Sequence, residues 1–295
     1  MTGPESLYRI EPEVAASLAG TRPVLLNLLE GFVDAGQVSR SLVSTMLTEC
    51  EHETLAVFDH DKFHDYRSRR PVITFDTNRF TDVDDIHVLL HRMTDAHGES
   101  FLLLEGPEPD ARWEQVMADV IELIAQFDVR LTVSVHGIPM AVPHTRPVTT
   151  TVHGTDEELI RGQRSWMDRV EIPASFSSLL EYRLGRLERS AHGFAVHVPH
   201  YVAQSAFSPA AVTAMEQVAQ VTGLALPLEA LREATANTIA ELTAETEHSE
   251  EVQRVVAELE VQYDAFVSRD DASLPSADEI GAAFEQFLRE NDDES

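Results

Sequence analysis

Five short runs rich in Val, Leu, Ile and Phe punctuate the chain: Val24 to Leu29, Leu55 to Phe58, Phe101 to Leu104, Leu131 to Val135 and Phe194 to Val198. Each is about the length of a strand buried on both faces. Between the third and fourth runs, Trp113, Val116, Met117, Val120, Ile121, Ile124 and Phe127 recur at steps of three and four, one apolar face of a helix. With Asp110 as its cap, residues 101–135 read as strand, helix, strand, the crossover unit of a parallel sheet. The turn Gly31 to Gly36 leads in the same way into a helix over Gln37 to Leu47, and the stretch His136 to Pro147 predicts a third strand-to-helix loop. The main body is therefore α/β with a mostly parallel sheet. In such sheets the loops at the carboxyl ends of strands gather on one edge, where ligands usually bind.

After about residue 205 the pattern turns helical, over Ala210 to Gln220, Leu228 to Leu242, Glu250 to Val267 and Asp278 to Glu290, with Pro209, Pro227 and Pro275 as start signals. The expected organisation is a core domain over 1–205, a helical section over 206–290 packed on it, and a frayed acidic tail over 291–295.

Composition narrows the function. The 295 residues carry 22 basic and 51 acidic side chains, a formal charge of −29, which disfavours a phosphate-backbone partner and excludes nucleic acid as a first reading. No run reaches the 18 or more apolar residues of a spanning helix, so a membrane role is not expected and a cytoplasmic location is. Cys50 is the only cysteine, which removes intramolecular disulfides and CxxC sites. Lys62 is the only lysine and sits in His60-Asp61-Lys62-Phe63-His64 without a glycine-rich turn, so a phosphate-binding loop is absent. No GxSxG elbow or HExxH motif is present. His60 and His64 are four apart, but no third ligand is fixed by spacing, so neither a metal nor any other cofactor is expected. From Glu241 onward, 17 acidic residues stand against 3 basic ones, the composition of a solvated face.

Candidate chemistry lies in the strand-end loops. Asp34 and Gly36 follow the first run, and Glu105, Glu108 and Asp110 follow the third in Leu104-Glu105-Gly106-Pro107-Glu108-Pro109-Asp110. His144, Thr145 and Arg146 follow the fourth on a segment stiffened by Pro139 and Pro143, and His200 and Tyr201 end the fifth. Paired carboxylates suit acid and base work, an arginine suits an anion, and histidines suit proton transfer. Tyr66, Arg67 and Arg70 in Asp65-Tyr66-Arg67-Ser68-Arg69-Arg70-Pro71 are candidates for contact with acidic loops of this chain or of a neighbouring subunit.

Taken in order, Gly31-Phe32-Val33-Asp34-Ala35-Gly36, Asp65 to Pro71, Leu104 to Asp110 with Trp113, Gly137-Ile138-Pro139 with Val142 to Pro147, and Pro199-His200-Tyr201 resemble the proteasome assembly chaperone 2 family, its actinobacterial branch above all, over roughly residues 7 to 265. The resemblance implies a three-layer α/β/α domain similar to the phosphorylase and peptidyl-hydrolase fold, with added C-terminal helices. It also implies homo-oligomers, trimers among them, and, from the eukaryotic relatives, proteasome subunits as partners. The first functional reading is accordingly a non-enzymatic assembly or interaction protein. The alternatives are a small-molecule enzyme of nucleoside phosphorylase or hydrolase type and a metabolite-sensing module. In the enzyme Arg146 would hold an anion, His144 or His200 would move a proton, and Glu105 or Asp34 would position the ligand.

Overall fold

All five apolar runs become strands of a single eight-stranded sheet, and the outermost layers are helical. The computed structural model describes residues 6–162 and 169–271. The expected helix over 278–290 and the tail over 291–295 lie outside the described residues.

The strands are β1 (Tyr8–Ile10), β2 (Val24–Glu30), β3 (Glu51–Phe58), β6 (Leu89–Thr94), β7 (Ser100–Pro107), β8 (Leu131–Met140), β9 (Thr150–Gly154) and β10 (Ala191–Pro199), in the order β1-β3-β6-β7-β2-β8-β10-β9. The four strands β7, β2, β8 and β10 are mutually parallel. Because β6 runs antiparallel to both β3 and β7, β3 points the same way as the central four. Five strands therefore end at one edge. A separate hairpin, β4 (Val72–Asp76) with β5 (Arg79–Asp84), makes a second sheet of its own.

Central β2 explains the layering. Val24, Leu26 and Leu28 face a core closed by α2 (Val38–Glu49) and α6 (Ser208–Thr222), whose Leu42, Met46, Ala210, Ala214, Met215 and Val218 are fully buried. Leu25 and Leu29 face the opposite core, closed by α3 (Trp113–Gln126) and α5 (Phe176–Arg186) through Val116, Met117, Val120, Phe176, Leu180 and Leu184. Alternate residues of one strand thus serve two cores, which is why its sequence is apolar apart from the buried Asn27 and the terminal Glu30. The result is a three-layer α/β/α domain with C-terminal helices. Of these, α6 lies in the same layer as α2, whereas α7 (Glu229–Glu247) and α8 (Glu250–Asp271) continue outward.

Two local expectations are corrected. The stretch after Val135 starts no helix: β8 continues through Pro139 to Met140 and pairs with β10 as far as Pro199. Its pairing to β2 stops at Ser134, so beyond that point one side carries no ladder and Pro139 breaks no hydrogen bond there. Asp110 does not cap α3 either. Arg112 takes that place with φ of 57°, and the Asp110 carboxylate is occupied elsewhere.

Candidate functional site

The carboxyl edge of the sheet brings together the loops after β2, β3, β7, β8 and β10. Its side chains form three separate knots rather than one cavity.

The first knot centres on Asp110. Its carboxylate accepts the backbone N–H of Asp65 at 2.7 Å and the Arg69 guanidinium at 2.7 Å, and lies 3.3 Å from His64 Nδ1. Arg69 also donates to the Glu108 carbonyl. The Glu108 carboxylate in turn accepts the N–H of Phe176 at 2.8 Å and so fixes the start of α5. Burial pushes the Glu108 carboxyl above its ordinary value, although the Phe176 N–H and the Arg69 charge oppose this. Tyr66 stacks edge-on against His64 with ring centroids 4.6 Å apart and donates to Asp61. Arg67 pairs with its neighbour Asp65.

The second knot centres on Asp34. One carboxylate oxygen accepts the N–H of Ser39 at 3.1 Å and the N–H of Gly137 at 3.0 Å, tying the first turn of α2 to β8. Gly36, at φ of 69°, exchanges backbone hydrogen bonds with Ala203 and Phe207 and leaves no space for a Cβ beside Val198 and Phe207. Gly137 is a strand residue, and the Ala35 carbonyl sits where its Cβ would be. A cleft of about 400 Å³ opens beside this knot, lined among others by Glu30, Phe32, Asp34, Arg40 and Gln204. The Glu30 carboxylate is held by Arg40 at 2.9 and 3.0 Å. Of the carboxylates and histidines singled out in the sequence, only Asp34 lines this cleft.

The third knot joins β8 and β10 to α8. Tyr201 hydroxyl receives the His144 N–H at 2.8 Å and bonds the His144 ring at 2.7 Å. Burial pushes the His144 ring below, and the Tyr201 phenol above, their ordinary values. Arg146 does not face an open anion site. Its guanidinium forks onto Asp264 at 2.8 and 2.7 Å and reaches Glu260 at 3.0 Å, and Thr145 donates to Glu260. His200 is exposed and stacks on Tyr201.

Glu105 belongs to none of these knots. It lies within the sheet face, with His87 Nε2 at 3.2 Å and His91 Nε2 at 3.3 Å on the same oxygen. Burial works against its ionised form, but the two imidazoles outweigh burial and hold the carboxyl below its ordinary value. A further set of histidines escaped the sequence reading. His153 bonds both Glu181 oxygens and lies flat over Gly193, and His136 stacks near it. His197 is fully buried between the Thr149 and Thr151 hydroxyls, each 2.9 Å away. Among the described residues no group of three ligating side chains is placed to hold a metal ion, and no helix is long and apolar enough to cross a membrane.

The Arg146 fork carries a direct expectation. α8 is attached by the stripe Val256, Leu259 and Tyr263 and by this fork. Arg146→Ala removes the ion pairs to Glu260 and Asp264 at once. Amide exchange over 250–265 is expected to speed up while exchange in β2 and β8 stays unchanged. Equal rates in both proteins would mean that the apolar stripe and the Thr145–Glu260 and Tyr263–Pro147 hydrogen bonds hold the helix without the fork.

Fold and rim together define a class: an α/β/α scaffold whose strand-end loops are braced to one another, with exposed aromatic side chains. Within that class, the chain belongs to the PAC2 family, whose model matches residues 28–246. The resemblance carried by the ordered strand-end motifs is therefore correct. The chain is similar to the Mycobacterium tuberculosis protein of unknown function Rv2714, with 41% identity over 92% of this chain and 93% of that one and a TM-score of 0.86. It is similar also to a protein of unknown function from Corynebacterium glutamicum, with 38% identity over 90% and 99% of the two chains and a TM-score of 0.84. The Mycobacterium tuberculosis proteasome-assembly chaperone homologue Rv2125 shares the fold, at 21% identity over 79% and 99% of the two chains and a TM-score of 0.71. No curated protein matches the chain.

Proposed function

We propose that the protein is a non-enzymatic assembly or interaction protein, a cytoplasmic homo-oligomer and, on the family resemblance, a trimer, which engages proteasome subunits through its loop rim. The observation that supports this most is what the charged groups of the rim are bonded to. Asp34, Glu108, Asp110 and Arg146 are each taken up by neighbouring loops or by α8. A reaction site needs an acid, base or nucleophile free to meet a substrate. A partner-binding rim needs rigid backbone and outward aromatic side chains, and Phe32 stands 62% exposed at the tip of the β2 loop. Membership of the PAC2 family and the description of Rv2125 as a proteasome-assembly chaperone homologue support the same reading.

The test is affinity purification of the tagged protein from its native host with quantification of proteasome subunits. Subunits are expected to co-purify, and Phe32→Ala is expected to lower their recovery by about tenfold or more if the ring is a central anchor. Recovery of no proteasome subunit, together with unchanged proteasome assembly in a deletion strain, overturns the proposal. Nucleosides and inorganic phosphate are expected to leave the melting temperature unchanged. A saturable shift accompanied by turnover would put an enzyme in its place.

A further inference from the structure

We propose that His87 is a proton-operated clamp on the stem of the β4–β5 hairpin: its imidazolium ties the end of β5 to β7, and loss of one proton releases that tie. The inference concerns the seating of the hairpin within one chain and does not rest on the functional reading above.

The hairpin has two stems and little else to seat it, since every residue from Val72 to Asp85 is exposed. The entry stem is fixed by Arg69, which reaches the Asp110 carboxylate and the Glu108 carbonyl. An arginine stays charged at every physiological pH, so this tie is constant. At the exit stem Val88 is buried, and its carbonyl accepts the Phe58 N–H at 3.1 Å. Between Asp84, where β5 ends, and Val88 lie Asp85, Ile86 and His87. The linker lies against β7 where Gly106, at φ of 116°, has the His87 carbonyl in the place of a Cβ.

The His87 ring spans this exit. Nδ1 lies 3.0 Å from the Asp85 carbonyl oxygen, and Nε2 lies 3.2 Å from the Glu105 carboxylate. Both partners only accept, so both ring nitrogens must carry a hydrogen, and only the imidazolium has two. A neutral ring keeps one bond and forfeits the other. His91 Nε2, 3.3 Å away, donates to the same Glu105 oxygen, while its buried Nδ1 has no partner. His91 therefore needs a single ring hydrogen, and the demand for a second falls on His87. The remaining charges nearby do not oppose this. Asp84 favours the imidazolium, the Asp85 carboxylate acts on Tyr66, Arg40 of α2 is drawn to Glu30 and Asp84, and His52 of β3 stacks edge-on against His91. The hydrogen bond to Glu105 raises the His87 pKa above its ordinary 6.5, so the tie is complete below that value and is lost as pH rises through the raised one. The ring is half exposed, so the proton exchanges directly with water.

Amide hydrogen exchange of the full-length protein over residues 72–87, expressed as protection relative to the unfolded-chain rate at each pH, tests the clamp. Protection is expected to fall about tenfold between pH 6 and pH 9, the scale of one charge-assisted hydrogen bond, with its midpoint above 6.5. The His87 ring resonance is expected to titrate at that same midpoint. His87→Gln, which can take up no charge, is expected to show low protection at both ends of the range. Glu105→Gln is expected to move the midpoint down, because a neutral amide no longer favours the imidazolium, and circular dichroism verifies that each variant is folded. Should the buried Glu105→Gln fail to fold, the His87→Gln profile and the ring titration decide. Equal wild-type protection at both ends, a His87→Gln protein that follows the wild-type profile, or a His87 ring that titrates at or below 6.5 overturns the clamp.

Discussion

Replacing Gly137 by alanine is expected to destabilise the protein by roughly 3–5 kcal/mol, the range of the most damaging single substitutions. The cause is backbone against backbone. The Ala35 carbonyl and the Val38 side chain already occupy the volume of the missing Cβ, and none of these belongs to the far end of a flexible side chain. Separating them pulls β8 from the loop between β2 and α2, which also strains the hydrogen bond from the Gly137 N–H to Asp34. For a chain of this size the melting temperature should fall by roughly 10 °C. Gly98 is the control, since its φ of 83° is strained for alanine but no atom lies within 4 Å of its Cβ. Gly98→Ala should cost only about 1–2 kcal/mol. Equal losses in the two variants would show that the close approach at Gly137 relaxes freely.

The second large effect is acid destabilisation through His197. Burial pushes its imidazole from the ordinary 6.5 down to about 4. The folded pKa is therefore below the unfolded one, so the unfolded chain binds the extra proton as pH falls. The stability that this histidine confers is full above pH 6.5 and is lost as pH drops from 6.5 toward 4, by about 3 kcal/mol in all. His136, pushed down to about 4 by burial and by the His153 charge, acts in the same direction while keeping part of its residue surface exposed. His87, raised above its ordinary value chiefly by its hydrogen bond to Glu105, acts in the opposite one. Urea unfolding between pH 7 and pH 5 isolates the histidines, because it stays above the range in which most carboxylates titrate. His197→Gln is expected to be less stable than the wild type at pH 7 but to lose less stability by pH 5, by about 2 kcal/mol. Parallel pH profiles for the two proteins would dismiss His197 as the cause.

The central strands and the helices that cover them were legible because burial on two faces leaves Asn27 as the one polar position in Val24 to Leu29 and none in Phe101 to Leu104. Strands at the margin were not. β9 reads Thr-Thr-Val-His-Gly because it is an edge strand and none of its residues is fully buried. β6 carries His91 and Arg92 inside the sheet because Glu105 and Glu53 pair with them, a fact that depends on strands 14 and 39 positions away. The rim itself followed from strand order alone, since loops at parallel strand ends must meet. Which side chains would be free within it did not follow. Asp110 is occupied by Arg69, and Arg146 by Asp264, through contacts across 41 and 118 residues that no local pattern records. The buried histidines escaped notice for a related reason: His197 shares an otherwise apolar strand with His192, and the threonine hydroxyls on the neighbouring chain segment satisfy its ring.

The strand order also bears on how the chain is made. β2 leaves the ribosome early but lies between β7 and β8, and β8 in turn waits for β10, which is complete only at Pro199. The α2 side of the hydrophobic interior is sealed later still, when α6 emerges through Thr222. For most of its translation the nascent polypeptide must therefore carry Leu-rich segments with no finished surface to bury them, which makes the final third of synthesis the step at which the domain commits to its folded state.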